Sequence, residues 1–313
     1  MAKSREIKGR MKAVSNIQRI TRTMQMIATA RFQSALRRAT SSKPYSAKIS
    51  ELVGELSAAG GSLDHPLLRA PDPVAGRELL LVITSNRGLC GAYNSNVLRE
   101  ASRFYRQKQA DGVELDLEVA GKKGVGYFRF AHIDVSTVHD QFGDKPAYAE
   151  VEQLAQHYMD AFDQGQYDAI HIASMSFQST SRQRPEIFKL LPLDRLQDAE
   201  ASGPAQGAAQ GPVEADAQSE SKPASGGEAI YDFSPDPAEL LAQLLPASVK
   251  IALFQRFNEA IVSEQVARMV AMKSATDAAG KMGKNLTRQY NRARQTAITT
   301  ELTEIIGGTA ALE

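Results

Sequence analysis

The stretch Ser85-Asn-Arg-Gly-Leu-Cys-Gly-Ala-Tyr-Asn94 is the loop in this chain most suggestive of chemistry. It follows a continuous apolar run, Glu78 to Thr84, and precedes a helical pattern. In α/β domains, glycine-rich turns at that place bind phosphate on the N-terminus of the next helix. The glycines here are only Gly88 and Gly91, so the dinucleotide pattern G-x-G-x-x-G is absent, and no G-x-x-x-x-G-K-[ST] occurs anywhere. Two readings remain for the loop, a tight strand-to-helix turn or a protein contact. Cys90 supplies a thiol, but no histidine and third orienting group are arranged to activate it. His65, His132, His139, His157 and His171 fall on different elements without the i,i+4 pairing of a helical metal site. The carboxylates show no recognisable acid/base pair. The chain therefore offers no catalytic constellation, and no cofactor or metal is expected.

The elements around the loop alternate. After turn chemistry between Gly60 and Gly76, a strand at Glu78 to Thr84 leads to a helix at Asn94 to Gln109 and a strand at Val113 to Val119. A short helix at Lys122 to Phe130, a strand at Ile133 to Val138, a helix at Tyr148 to Phe162 and a strand at Ala169 to Met175 follow, then a strand-like Glu186 to Leu191. Such alternation predicts a Rossmann-like, parallel, right-handed α/β domain.

Flanking this domain are two long helical patterns. Residues 247 to 306 contain no proline, and Phe254, Ile261, Met272, Ala275, Ala279, Met282, Leu286 and Ala293 recur at helical intervals. Sixty residues at 1.5 Å each make a rod of roughly 90 Å, which needs a second helix to lie on. Residues 3 to 59 supply it, with Ile7, Met11, Val14, Ile17, Ile20, Met24 and Ile27 as the facing stripe and a local bend expected at Pro44. The fold class is α/β plus a long antiparallel coiled coil of the N- and C-terminal helices. The expected divisions are 1–59 (first shaft helix), 60–198 (α/β domain), 199–229 (acidic Ala/Gly/Pro/Ser-rich insert, read as disordered) and 230–313 (the returning segment, with Ala238 to Leu245 a short helical turn and Pro246 opening the long helix).

Composition narrows the function. The 313 residues are 42% hydrophobic and 23% charged, an ordinary soluble mixture, and Leu79 to Ile83 is far short of the ~20 apolar residues that cross a bilayer. The apolar period starting at Ile7 argues against a cleaved leader. One cysteine excludes an internal disulfide and suits a reducing compartment. Net charge +1 conceals segregation: residues 1 to 48 hold twelve Lys or Arg against Glu6, while residues 194 to 240 hold ten acids against Arg195 and Lys222. Aromatics for base stacking are scarce before residue 100, with only Phe32, Tyr45 and Tyr93, so an acidic protein partner is expected in place of nucleic acid. The apolar end Ile305-Ile-Gly-Gly-Thr-Ala-Ala-Leu312 calls for something that encloses it.

Four separated motifs carry a family resemblance: Ile20-Thr-Arg-Thr-Met-Gln-Met-Ile27, Asn86-Arg-Gly-Leu-Cys-Gly91, Ser263-Glu-Gln-Val-Ala-Arg-Met-Val-Ala-Met-Lys273 and Ala293-Arg-Gln-Thr-Ala-Ile-Thr-Thr-Glu-Leu-Thr-Glu304. With them the chain resembles the gamma-subunit family of rotary, proton-driven ATP synthases. The resemblance implies a non-catalytic axle that transmits the turning of an ion-driven membrane ring to catalytic subunits. Implied partners are the alpha and beta subunits, the epsilon subunit and the rotor c-ring, with no nucleic acid and no membrane insertion. The implied place is the cytoplasmic face of a bacterial inner membrane. Positions matching Arg268, Gln295, Thr299 and Glu301 would touch beta subunits. Arg87, Gly88, Cys90, Gly91 and Tyr231 would belong to the foot near epsilon and the ring. Asn86 stands where the family usually has Asp, and Ala92 where it usually has Gly. Plant plastid relatives carry a two-cysteine redox segment near 199–229; this chain has no cysteine there. The alternative from another class is a small-molecule-binding α/β enzyme with oligomerising helical arms.

Overall fold

A computed structural model describes residues 2–59, 66–68, 76–193 and 237–310. The expected insert at 199–229 and Tyr231 lie outside the described residues. In chain order the elements are α1 (Ala2–Ala59), a 3₁₀ turn (Pro66–Leu68), β1 (Arg77–Ile83), α2 (Tyr93–Ala110), β2 (Glu114–Ala120), α3 (Lys122–Phe130), β3 (Thr137–His139), α4 (Tyr148–Asp163), β4 (Ala169–Phe177), β5 (Gln183–Leu191) and α5 (Pro237–Ala310).

The strands form one sheet in the order β3-β2-β1-β4-β5. β1 pairs parallel with both β2 and β4, and β2 with β3. β5 departs from the expected parallel arrangement and runs antiparallel to β4. The reason is length: residues 178 to 182 form only a tight turn, closed by Gln178 and Arg182 backbone bonds, whereas a parallel return needs a crossover of a dozen residues or more. β3 is also shorter than expected, three residues at the sheet edge.

Each face of the sheet is covered, which is why β1 reads as an uninterrupted apolar run. Leu79, Leu81, Ile170 and Ile172 face α4 and α5, packing on Tyr158, Leu253 and Phe257. Leu80, Val82, Ala173 and Met175 face α2 and α3, packing on Val97, Leu98 and Phe128. The first part of α5 is thus built into the head.

α5 begins earlier than the sequence suggests, at Pro237, and Pro246 lies inside it. Pro246 cannot donate to the carbonyl of Ala242, but Ala242 is exposed and that carbonyl can bond water. On the opposite side Leu245 and Val249 are fully buried, so packing holds the helix through the break. Pro44 likewise lies within α1 without ending it.

Beyond the head, α1 and α5 pair antiparallel. Thr276 donates to Thr21 through their hydroxyls at 2.8 Å, and a Cβ on Gly280 would sit 3.0 Å from the Gln18 amide. Extended one for one, this register sets Arg10 level with Arg288 and Ala2 level with Thr296. Beyond Thr296 the last fourteen described residues of α5 add about 21 Å of helix.

The seam differs from the expected stripe. Ile7, Met11, Val14 and Met24 are half-buried as anticipated, but Thr21, Ala28, Ala35 and Ala39 continue it, while Ile17, Ile20 and Ile27 are about half exposed. Met282 on α5 is also exposed. Small residues let the backbones approach closely, and a helix this thin has more apolar surface than one neighbour can cover. The larger side chains face away from the partner helix.

Candidate functional site

The loop after β1 is held by its own side chains. Ser85 donates its backbone N–H to Asn94 Oδ1 at 3.0 Å and its hydroxyl to the Arg87 carbonyl at 2.7 Å. Asn94 donates to Ser85 Oγ at 2.7 Å and to Cys90 Sγ at 3.2 Å, so the first turn of α2 ties both ends of the loop. Leu89 at φ 64° and Gly91 at φ 58° make the reversal; Leu89 stays exposed while Cys90 turns inward, 2% exposed. Below it, Gly121 at φ 104° crosses so close to Thr84 that any Cβ there would collide with the Thr84 carbonyl.

This loop touches the shaft. Arg268, on α5, donates to the carbonyls of Arg87 at 3.2 Å and Gly88 at 3.4 Å, and pairs with Glu264 one turn earlier at 2.7 Å. A Cβ at Gly91 would rest 3.6 Å from the Ala267 carbonyl and 3.7 Å from Ala271, so the loop lies along this turn of α5. Asn86 completes the join: its Nδ2 donates to the Phe142 carbonyl at 3.0 Å, and its Oδ1 accepts from the Lys122 backbone at 3.1 Å. Two residues on, Asp144 pairs with Arg31 of α1, and its carbonyl accepts from Arg38 at 3.4 Å. Both shaft helices are therefore fastened at the C-terminal edge of the sheet.

Burial sets the electrostatics. It raises the Glu264 carboxyl above its ordinary value, an effect that Arg268 opposes without cancelling. Burial, then the charge of Glu264, push the Tyr93 phenol well above its ordinary value. Away from the junction, burial alone would raise Glu78 and Glu118. Hydrogen bonds reverse that: His171 and Lys108 hold Glu78 low, and His139 and Tyr158 hold Glu118 low.

The crevice where an α/β domain would take a nucleotide is filled. The void bounded by Thr84, Asn86, Tyr93, Asp144 and Glu264 measures about 20 Å³, room for a water, against several hundred for a small-molecule site. His139 and His171 face carboxylates at 2.7 and 2.9 Å, and among the described residues no three His, Cys, Asp or Glu converge as a metal site.

The sequence reading put Arg268 with the beta-subunit contacts and Arg87 to Gly91 at the far end, in the foot. The structure brings the two together. Arg268 is 8% exposed and its guanidinium is committed inside the chain. Gln295, Thr299 and Glu301 are elsewhere, exposed on the last part of α5, 27 to 33 residues or about 40 to 50 Å beyond Arg268. Beside them stand Ile298, Leu302, Ile305 and Ile306, each more than half exposed. Glu264, Asp144 and Arg31 were missed. The Glu264/Arg268 pair was legible as an i,i+4 spacing, but Asp144 to Arg31 spans 113 residues and leaves no local trace.

A family model described as ATP synthase matches residues 3–312. The chain is 39% identical over 312 residues to the ATP synthase gamma chain of Leptospira biflexa, and 40% identical over 313 residues to that of Rhodopirellula baltica, covering the whole of both partners in each case. In fold it is similar to a chain of the Euglena gracilis mitochondrial ATP synthase, with TM-score 0.63 and 19% identity over 99% of this chain and 95% of that one. A chain of the Tetrahymena thermophila central stalk and c-ring gives TM-score 0.53 at 18% identity, over 82% of this chain and 99% of that one. With relatives matched end to end, and a head fastened to a paired-helix shaft, the chain belongs to the ATP synthase gamma-chain family.

Proposed function

We propose that this chain is the central-stalk rotor of an ATP synthase, a non-catalytic subunit that carries rotation from an ion-driven membrane ring to three catalytic beta subunits. One observation carries the reading: α1 and α5 leave the head as a single antiparallel pair, and α5 ends in an exposed apolar stretch, Ile298, Leu302, Ile305 and Ile306. An effector alters a binding equilibrium only through differential contact with its states. A pair with Ile17, Ile20 and Ile27 on α1 and Lys281, Lys284 and Arg288 on α5, all exposed, presents a different face in every direction. Inside a ring of three alpha and three beta subunits, such a shaft treats three identical sites unequally.

Gln295, Thr299 and Glu301 are the proposed contacts with beta subunits, and the apolar tip is enclosed by the top of the ring. Each polar contact must be released at every step, so each is modest, up to ~1 kcal/mol as for exposed ion pairs. Arg268 and the Arg87–Gly91 loop act together as the join that keeps the shaft from slipping in the head. Part of the head's remaining surface meets epsilon and the c-ring, and the subunit sits peripherally at the cytoplasmic face of the membrane. Among the described residues no helix is long and apolar enough to cross it.

The test is reconstitution of the chain with alpha and beta subunits, followed by ATP hydrolysis and subunit stoichiometry. A complex holding one copy of this chain per three beta subunits, with the tip protected from protease, supports the proposal. Full ring activity with the chain unbound overturns it.

A further inference from the structure

A second surface of the head is unused by the account above. Between α2 and α3 runs an open groove of about 770 Å³, floored by Leu98 and Tyr127 and edged by Arg99, Arg103, Arg106 and Lys123. The three arginines recur at intervals of four and three on α2, one face of the helix, over about 10 Å. Lys123 comes from the first turn of α3. Glu100 neutralises Arg103, but among the described residues Arg99, Arg106 and Lys123 have no carboxylate partner. Asn94, Ser95, Ser102 and Tyr127 add polar groups along the same walls. A groove with three uncompensated cations over an apolar floor fits an acidic peptide.

We infer that the occupant is this chain's own acidic segment around Glu214, Asp216 and Glu220. No base lies between Arg195 and Lys222, so Glu214 and Asp216 have no cation within five residues of them in the chain. Charge is the first argument: three acids within seven residues meet the three unpaired cations, Arg99, Arg106 and Lys123, that edge the groove. Reach is the second. Leu193 is anchored by its backbone N–H to the Leu67 carbonyl, at the edge of the sheet where α2 ends. There Lys108, two residues past Arg106, joins Glu78, and Glu78 joins His171, whose neighbour Ile170 is in register with Leu191. Glu214 follows Leu193 by 21 residues, and Glu220 precedes Pro237 by 17. At ~3.3 Å per residue these spans reach about 70 and 55 Å, against a radius of gyration of ~13 Å for a domain of this size. Tethering at both ends makes docking intramolecular and favours it over a free anion. The groove is thereby neutralised by the chain that carries it.

Carbodiimide coupling tests this on the assembled complex. The reagent activates a carboxylate, and an amine in contact displaces it as a urea to leave an amide bond. Peptide mass spectrometry should find Lys123 joined to Glu214, Asp216 or Glu220. Yield should fall about tenfold in 1 M salt, where charges are screened within ~3 Å. It should vanish in Glu214→Gln/Asp216→Asn/Glu220→Gln and in Lys123→Arg, which keeps the charge but has no primary amine. The Lys250–Glu152 pair, 3.0 Å apart, reports that the reagent worked. Coupling of Lys123 to another subunit, or no coupling at Lys123 while Lys250 and Glu152 join, overturns the inference.

Discussion

Arg268 and Arg87 are 181 residues apart in the chain and 3.2 Å apart in the structure, guanidinium to backbone carbonyl. That bond, with the Glu264 pair behind it, joins the loop of the head to the long helix of the shaft. Removing the arginine leaves a carboxylate buried without its cation, a change worth about 3 kcal/mol or more. Arg268→Ala is therefore expected to lower unfolding stability by that amount, and Arg268→Met with Glu264→Gln to recover most of it, as measured by urea unfolding. Equal loss in the single and double variants would remove the pair from the account.

Asn86 is one of two positions, with Ala92, where the family resemblance leads one to expect a different residue. Its amide nitrogen donates to the Phe142 carbonyl while its oxygen accepts from the Lys122 backbone. Asn86→Asp keeps the acceptor, loses the donor and sets a carboxylate against a carbonyl. A cost of about 1 to 3 kcal/mol is expected, together with faster amide exchange at Lys122. A neutral or stabilising change would mean that the Phe142 and Lys122 bonds do not hold this join.

The head should be acid-sensitive. Glu78 and Glu118 have carboxyls held below their ordinary 4.5, so their contribution is present above that pH and is lost as pH falls through the lowered values. Glu264 has the opposite sign: its raised value means stability declines as pH rises from 4.5 toward it. Glu118→Gln should flatten the loss of stability below pH 4.5, and Glu264→Gln should flatten the decline above it. Thermal unfolding across pH 3 to 7 distinguishes the two variants, and identical pH profiles would refute the assignment.

What the sequence made legible follows from range. The strand at Glu78 to Thr84, the helix at Lys122 to Phe130 and the pairing of the two chain ends came from local periodicity. The antiparallel β5 was missed because the tight turn at 178 to 182 carries weak turn signals. The seam was displaced toward Ile17, Ile20 and Ile27 because hydrophobicity marks what is covered by anything, including a partner. Thr21 and Ala28 serve the intramolecular seam instead. For Arg268 the same holds within the chain: family likeness marks the residue, and only geometry shows that its guanidinium bonds the Arg87 and Gly88 carbonyls.

The tip of α5 gives a separable test. Ile298, Leu302, Ile305 and Ile306 are all exposed, so changing them to asparagine should alter the chain's own stability by no more than about 0.5 kcal/mol. Assembly with the catalytic ring should nonetheless fall sharply, read by native mass spectrometry. If assembly is unchanged, the tip is not enclosed.

The central claim is that torque passes along the α1/α5 pair. It is tested most directly by attaching a bead to the head through Phe130→Cys, 84% exposed, in a Cys90→Ser background, with the catalytic ring fixed to a surface. ATP should drive the bead in one direction with three pauses per turn. A ring that hydrolyses ATP under these conditions while the head fluctuates without direction would contradict the account.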